Sequence, residues 1–144
     1  MIEANRVYIA SKIGPMNKKV QALRKILEQH GYVINYDWTE KVVPKPFEEH
    51  LSEATDAAEA MAKAVMQCDI LIVLCAPGGV GYHIETGGAL VASIILSFIT
   101  GQKKKQLYVV GEGNDKSVFY FHQSVIRVHT VLSLLPYLRI PSQS

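Results

Sequence analysis

The chain has 144 residues, of which 49% are hydrophobic and 19% are charged. This balance excludes a disordered chain, and the length suits a single domain, residues 1–144, with a buried core. The formal net charge is only +2, and the one basic run, Lys103 to Lys105, is best explained as a solvated turn. We therefore expect no nucleic acid partner.

Three features of the sequence favour a cytoplasmic protein. Glu3 and Arg6 interrupt the N-terminus before any long apolar run, so we expect no secretory signal. The longest apolar stretch, Gly87 to Ile99, is too short to span a bilayer, so we expect no membrane partner. Cys68 and Cys75 form neither a C-x-x-C pair nor a zinc site, which indicates reduced thiols in a reducing compartment.

The first half of the chain begins with a strand, a helix and a second strand. Arg6 to Ser11 is a short run of strand-forming residues. Asn17 to His30 has its apolar residues on one helical face, and Gly31 ends that helix. Tyr32 to Tyr36 predicts the second strand. The proline-containing segment that follows, Asp37 to His50, is predicted to be an irregular excursion.

The second half continues the alternation of helices and strands. A helix is expected from about Phe47 or Ser52 to Gln67, and the unbroken apolar run Asp69 to Cys75 predicts a central parallel strand covered on both faces. A glycine-rich loop follows, Ala76 to Gly81. The remaining predicted elements are a helix from about His83 to Thr100, a strand at Leu107 to Val110, a turn at Gly111 to Lys116, a strand at Val125 to Val128 and a closing helix at Val131 to Leu138.

This order of elements predicts a three-layer α/β domain with a five-stranded parallel sheet. The expected strand order is 2-1-3-4-5, which is the flavodoxin-like arrangement. Ligands of such sheets bind beyond the carboxyl ends of strands 1 and 3, where the winding direction reverses. Two loops are therefore predicted to form the ligand site, one from Ser11 to Gly14 and the other from Ala76 to Glu85.

Glu85 is the strongest candidate for chemistry at this site. It is the only acid between Asp69 and Glu112, and it lies in the first turn of an otherwise apolar helix. An acid at that position can simply complement the helix dipole. A carboxylate in a low-dielectric pocket can instead act as a nucleophile or stabilise a developing cation. Spacing alone leaves both interpretations open.

The other candidates lie in the same two loops and in strand 1. Tyr8 is either a core residue or a phenol that orients the carboxylate. The glycines let the backbone approach an anionic ligand near a helix N-terminus. His83 has no partners at metal-ligand spacing, so we expect no metal and no cofactor. The candidate ligand-binding residues are Ser11, Lys12, Gly14, Gly78, Gly79, Gly81 and Tyr82.

Three segments carry a family resemblance: V-Y-I-A-S at 7–11, C-D-I-L-I-V-L at 68–74 and G-V-G-Y-H-I-E-T-G-G-A-L at 79–90. They resemble the nucleoside 2-deoxyribosyltransferase-like superfamily, which includes the deoxynucleoside monophosphate N-glycosidases. The resemblance implies that Glu85 attacks or stabilises the anomeric carbon while the N-glycosidic bond breaks, and that Tyr8 orients it. It implies a nucleoside or nucleotide substrate, with hydrolysis or (deoxy)ribosyl transfer both open. Met61 stands where the family usually has an acid, which leaves the substrate open too.

The sequence also leaves two alternative functions open and predicts an oligomeric state. G-Y-V-I-N-Y-D-W at 31–38 resembles the second strand of TIR domains, which when enzymatic cleave NAD with a helix-borne glutamate, again Glu85 here. A non-catalytic nucleotide-binding or signalling module is the other alternative. The helix from Gly87 to Ile99 has no polar face, which predicts a homo-oligomer formed through it.

Overall fold

The computed structural model describes residues 5–141. Its strands form one sheet in the order β2-β1-β3-β4-β5, and every neighbouring pair is parallel. The predicted flavodoxin-like α/β fold is therefore confirmed, with the winding reversed between β1 and β3. The strands are β1 Arg6–Ser11, β2 Val33–Ile34, β3 Ile70–Leu74, β4 Gln106–Val110 and β5 Val125–Val128.

Helices cover both faces of this sheet. Right-handed crossovers place α2 and α3 on one face, where they pack against each other, and α1 and α4 on the other. The α-helices are α1 Asn17–Gln29, α2 Leu51–Gln67, α3 Gly81–Thr100 and α4 Val131–Leu134. Short 3-10 helices span Phe47–Glu49, Val118–Phe121 and Leu135–Leu138.

The core forms around β1 and β3, the two strands that flank the reversal point. All five residues of β3 are buried, as its unbroken apolar run predicts for a strand covered on both faces. In β1 every residue after Arg6 is buried, including Tyr8. The carboxyl ends of these strands are thus held rigidly, and the loops that follow them start from fixed points.

Three predicted elements differ from the structure by more than one residue. The second strand is shorter than Tyr32 to Tyr36 because it is an edge strand whose chain turns away after Ile34, and Trp38 Nε1 then donates a hydrogen bond to Ile9 O at 2.7 Å. Helix α3 starts at Gly81, two residues before His83. The closing helix tightens into a 3-10 turn at Leu135, since Pro136 has no N–H to donate.

Helix α3 bears on the expectation of no membrane partner. It has 20 residues and contains an 18-residue window with a mean hydropathy of 1.4, so it is long and apolar enough to cross a membrane by length and composition alone. The stretch from Gly87 to Ile99 is thus part of a longer helix that begins at Gly81, and the absence of a membrane partner stays a prediction. Tyr82 and Thr86 in its first turns are buried, and 22% of that window is buried within the protein. Glu3, used in the localisation argument, lies outside the described residues.

Candidate active site

The loop between β3 and α3 is fixed by the residues that end it. Tyr82 Oη donates to Ala76 O at 2.8 Å, and Thr86 Oγ1 donates to Tyr82 O at 2.6 Å. Gly79 lies directly against the Tyr82 ring, since a Cβ there would stand 2.2 Å from Cε1. Tyr82, predicted to bind ligand, is thus a buried residue that closes the loop through its hydroxyl.

Glu85 lies one turn into α3 and points inward. Its Oε2 atom is buried and has no hydrogen bond partner among residues 5–141. Tyr8 Oη is also buried without a partner in this part of the chain, and the two groups are close enough to perturb each other's pKa. A Cβ at Gly81 would stand 3.8 Å from Glu85 Oε1, so the carboxylate lies beside that glycine. Glu85 and Tyr8 therefore lie near each other, and the predicted orienting role of Tyr8 stays a prediction.

Burial sets the protonation of this pair. It raises the pKa of Glu85 to about 7, against a smaller lowering by the Tyr8 hydroxyl. Burial, and then the charge of Glu85, raise the pKa of Tyr8. The phenol therefore keeps its proton at neutral pH, whereas the carboxyl group is divided between its two forms. A buried acceptor and a buried donor without partners are costly, and such groups are typical of sites where a ligand supplies the missing bonds.

A cavity of about 670 Å³ opens beside Glu85, between α2, α3 and the excursion. Its walls are almost entirely apolar. The excursion contributes Lys41 and Val43 together with Phe47, and α3 contributes Gly81, Ile84 and Gly88. The face contributed by α2 consists of Ala54, Ala57, Ala58, Met61, Ala62, Val65 and Met66, and Ile13 completes the lining.

The loop after β1 holds three predicted ligand-binding residues, which the structure uses in different ways. Ser11 Oγ is buried and donates to Leu74 O at 2.7 Å, so it ties β1 to β3. Lys12 Nζ donates to Pro77 O at 3.0 Å and lies against Gly78, where a Cβ would stand 3.2 Å away. Gly14 has a φ of +95° and shapes the turn before α1. The two predicted loops therefore meet through Lys12.

A second cavity, of about 780 Å³, lies on the other side of the glycine-rich loop. Gly78, Gly79 and Tyr82 line it, whereas Gly81 and Glu85 line the first cavity. The predicted site residues of this loop therefore face two different cavities, one on each side of the loop. A third cavity, of about 600 Å³, lies beside Lys103 to Lys105 at the amino ends of the strands, away from the reversal point.

His83 has a structural partner in the neighbouring β4–β5 connection. Its Nδ1 atom lies 2.6 Å from the hydroxyl of Tyr120, which is buried. Within residues 5–141 no three His, Cys, Asp or Glu side chains group together in a way that could hold a metal ion. The contact with Tyr120 instead joins the start of α3 to the connection between β4 and β5.

Several residues of the site were not predicted from sequence. The excursion residues Lys41, Val43 and Phe47 belong to a segment with no regular period, so nothing in the sequence placed them over α2. The alanine face of α2 was a usable signal, because Ala54, Ala57, Ala58 and Ala62 share one side of a helix.

Comparisons with known proteins support the fold. No family model matches the chain, and no curated protein sequence matches it. Among solved structures, the CMP N-glycosidase BcmB from Clostridium botulinum matches with a TM-score of 0.60 and 17% sequence identity, over 93% of this chain and 98% of that one. At this identity the match establishes the fold alone. The chain is therefore similar in fold to this N-glycosidase.

Proposed function

We propose that this protein cleaves the N-glycosidic bond of a nucleoside or nucleotide, with the Glu85 carboxylate as the group that faces the anomeric carbon. The observation that carries the proposal is a pair of buried atoms, Glu85 Oε2 and Tyr8 Oη, that have no hydrogen-bond partner within residues 5–141. Glu85 also lines a cavity large enough for a small ligand. The likeness in fold to a CMP N-glycosidase supports the same reaction class.

In the proposed reaction the bond between the sugar and the base breaks, and its electron pair leaves on the base, which takes up a proton from solvent. The ionised Glu85 stabilises the positive charge that develops on the sugar and forms a bond to the anomeric carbon. In the substrate complex, Tyr8 donates its O–H to the carboxylate and fixes its direction. Water or the nitrogen of a second base then displaces Glu85, so hydrolysis and transfer share the first step.

The surroundings of the glycine-rich loop suit an anionic group on the substrate. The N-terminus of α3 follows this loop, and Lys12 Nζ lies against Gly78. Free backbone N–H groups at a helix N-terminus favour an anion, and an adjacent ammonium adds to the effect. We therefore propose that a phosphate of a nucleotide substrate lies at this loop, beside Lys12.

A second copy of the chain is the proposed partner of α3. Its outward face exposes 54% of Val91, 48% of Ile95 and 90% of Phe98, residues whose spacing forms one stripe along the helix. Ile84 extends the stripe toward the cavity. Contiguous exposed apolar surface of this kind is typical of an interface. An oligomer formed through α3 would bring the partner close to the edge of the site.

The reaction is tested by assaying release of free base from a panel of deoxynucleotides, ribonucleotides and NAD. We expect base release by the wild-type protein and none by Glu85→Gln. The matched control is Glu59→Gln, which changes an exposed acid of α2 paired only with Lys63. Release of nicotinamide from NAD would favour the TIR-like alternative. Nucleotides that raise the melting temperature without any base release would favour a binding module and contradict the proposal.

A further inference from the structure

The cavity beside Glu85 offers almost no hydrogen bonds to an occupant. Of the residues that line it, only Lys41 and Glu85 have polar side chains, and Lys41 is exposed to solvent. The hydrogen-bonding edge of a base placed here would lose its water without gaining protein partners. An apolar group is therefore the more favourable occupant of this space.

Helix α2 provides the room for that occupant. Ala54, Ala57, Ala58 and Ala62 all line the cavity, and their spacing places them on one face of the helix. Each of these side chains ends at Cβ, so the face stays open where longer side chains would close it against α3. The cavity of about 670 Å³ falls within the usual size of small-molecule sites and accommodates a base with an added ring or alkyl chain.

Met61 lies on the same face, between Ala58 and Ala62. It also lines the cavity, where a carboxylate would offer hydrogen-bond acceptors to the sugar or the base. A thioether side chain is apolar and flexible, and it packs well against aromatic rings. Compared with an acidic residue at this position, Met61 offers the ligand no hydrogen-bond acceptor of that kind and adds apolar surface to the cavity wall.

We propose that the base released at Glu85 carries a bulky apolar substituent, which the face of α2 around Met61 selects. This inference rests on the proposed function and names its substrate class. The substituent lies against the alanines of α2, and the sugar lies next to Glu85 and Tyr8. Selectivity then comes from burial of apolar surface rather than from hydrogen bonds to the base.

The test compares adenosine and cytidine 5′-monophosphates with their analogues that carry a benzyl group on the exocyclic amine. We expect kcat/KM for base release to be at least about tenfold higher for the benzyl analogues, since a hydrophobic pocket discriminates by about 10- to 200-fold. Ala57→Leu fills the cavity and should remove most of that preference, and Met61→Glu should reduce it. Ala22→Leu, which changes an exposed position of α1, is the control that should leave it unchanged.

Binding to the Glu85→Gln variant separates this inference from the reaction itself. A larger rise in melting temperature with the benzyl analogues than with the unsubstituted nucleotides supports the inference even if no base is released. Equal or better cleavage and binding of the unsubstituted nucleotides overturns the inference and leaves the proposed function standing. A change of oligomeric state in Ala57→Leu, without a change in selectivity, would assign the cavity to a second copy of the chain and also overturn it.

Discussion

The two cavities beside the glycine-rich loop differ in the way they hold their polar groups. The second cavity has the more charged lining, with Lys19, Glu112 and Lys116, and all three of these residues are exposed to solvent. The first cavity has few polar groups, but one of them is the buried Glu85 carboxylate, with an oxygen that lacks a partner in the described chain. Exposed charges are screened by water, whereas a buried carboxylate acts strongly on a nearby ligand. Burial, rather than the number of charged groups, therefore marks the candidate centre.

The largest effect expected from this comparison is on turnover. Glu85→Gln removes the charge from the first cavity while it keeps the shape of the side chain. We expect base release to fall by about 1,000-fold or more, as for the loss of a nucleophile. Glu112→Gln makes the same change in the second cavity and should leave turnover within about twofold, because rates usually depend little on an exposed charge outside the reacting centre. Equal losses in both variants would remove the distinction between the cavities.

The glycine-rich loop forms the wall between the two cavities, and adding one methyl group to it is expected to lower the stability of the protein. Gly79→Ala would place a Cβ 2.2 Å from the Tyr82 ring, so the ring and its hydrogen bond to Ala76 must shift. We expect a loss of about 1–3 kcal/mol of unfolding free energy, as for other overpacked sites. Gly87→Ala is the matched control, since a Cβ there meets nothing within 4 Å. Denaturant unfolding of both variants checks the difference, and equal stabilities would contradict the packing argument.

The buried carboxyl group should also make the protein less stable as the pH rises. Because the folded state raises the pKa of Glu85 from 4.5 to about 7, the folded protein binds the proton more tightly than the unfolded chain does. Stability is therefore lost between about pH 4.5 and 7, by up to about 3 kcal/mol at roughly 1.4 kcal/mol per pKa unit. Glu85→Gln should be more stable than wild type at pH 8 and similar to it at pH 4. Thermal unfolding across this range checks the sign, and a constant difference would argue against burial.

The smallest expected effect concerns the pH dependence of the rate. A nucleophilic or cation-stabilising Glu85 must be ionised, so kcat/KM should rise with pH through about 7 and then level off. A general acid would give the opposite slope. Initial rates of base release between pH 5 and 9 distinguish the two, and a falling profile would contradict the role proposed for Glu85.

The sequence predicted the strands and the position of the site better than the contacts that its residues make. The apolar run of β3 and the alternation of helices and strands are local patterns, and they were sufficient to predict the sheet order and to place Glu85 and Tyr8 at the reversal point. The roles of Ser11 and Tyr82 depend on carbonyl groups of Leu74 and Ala76, whose directions no local pattern records.

The walls of the cavity were even less predictable. Val43 and Phe47 come from a segment without periodicity, and their position depends on contacts made by other parts of the excursion. Thr39 N donates to Asp37 Oδ1 at 2.9 Å, and Arg24 on α1 pairs with the same aspartate. Such tertiary contacts override local preference. The sequence alone therefore predicts only that this segment is irregular.

The most direct test of the account is a ¹³C NMR titration of the Glu85 side-chain carboxyl group in wild type and in Tyr8→Phe. We expect a midpoint of about 7 in the wild-type protein, because burial raises the pKa of this group. We expect a still higher midpoint in Tyr8→Phe, since the tyrosine hydroxyl lowers the pKa of Glu85. A midpoint near 4.5, the ordinary value for glutamate, with no response to the loss of Tyr8, would show a solvated carboxylate and contradict the proposed centre.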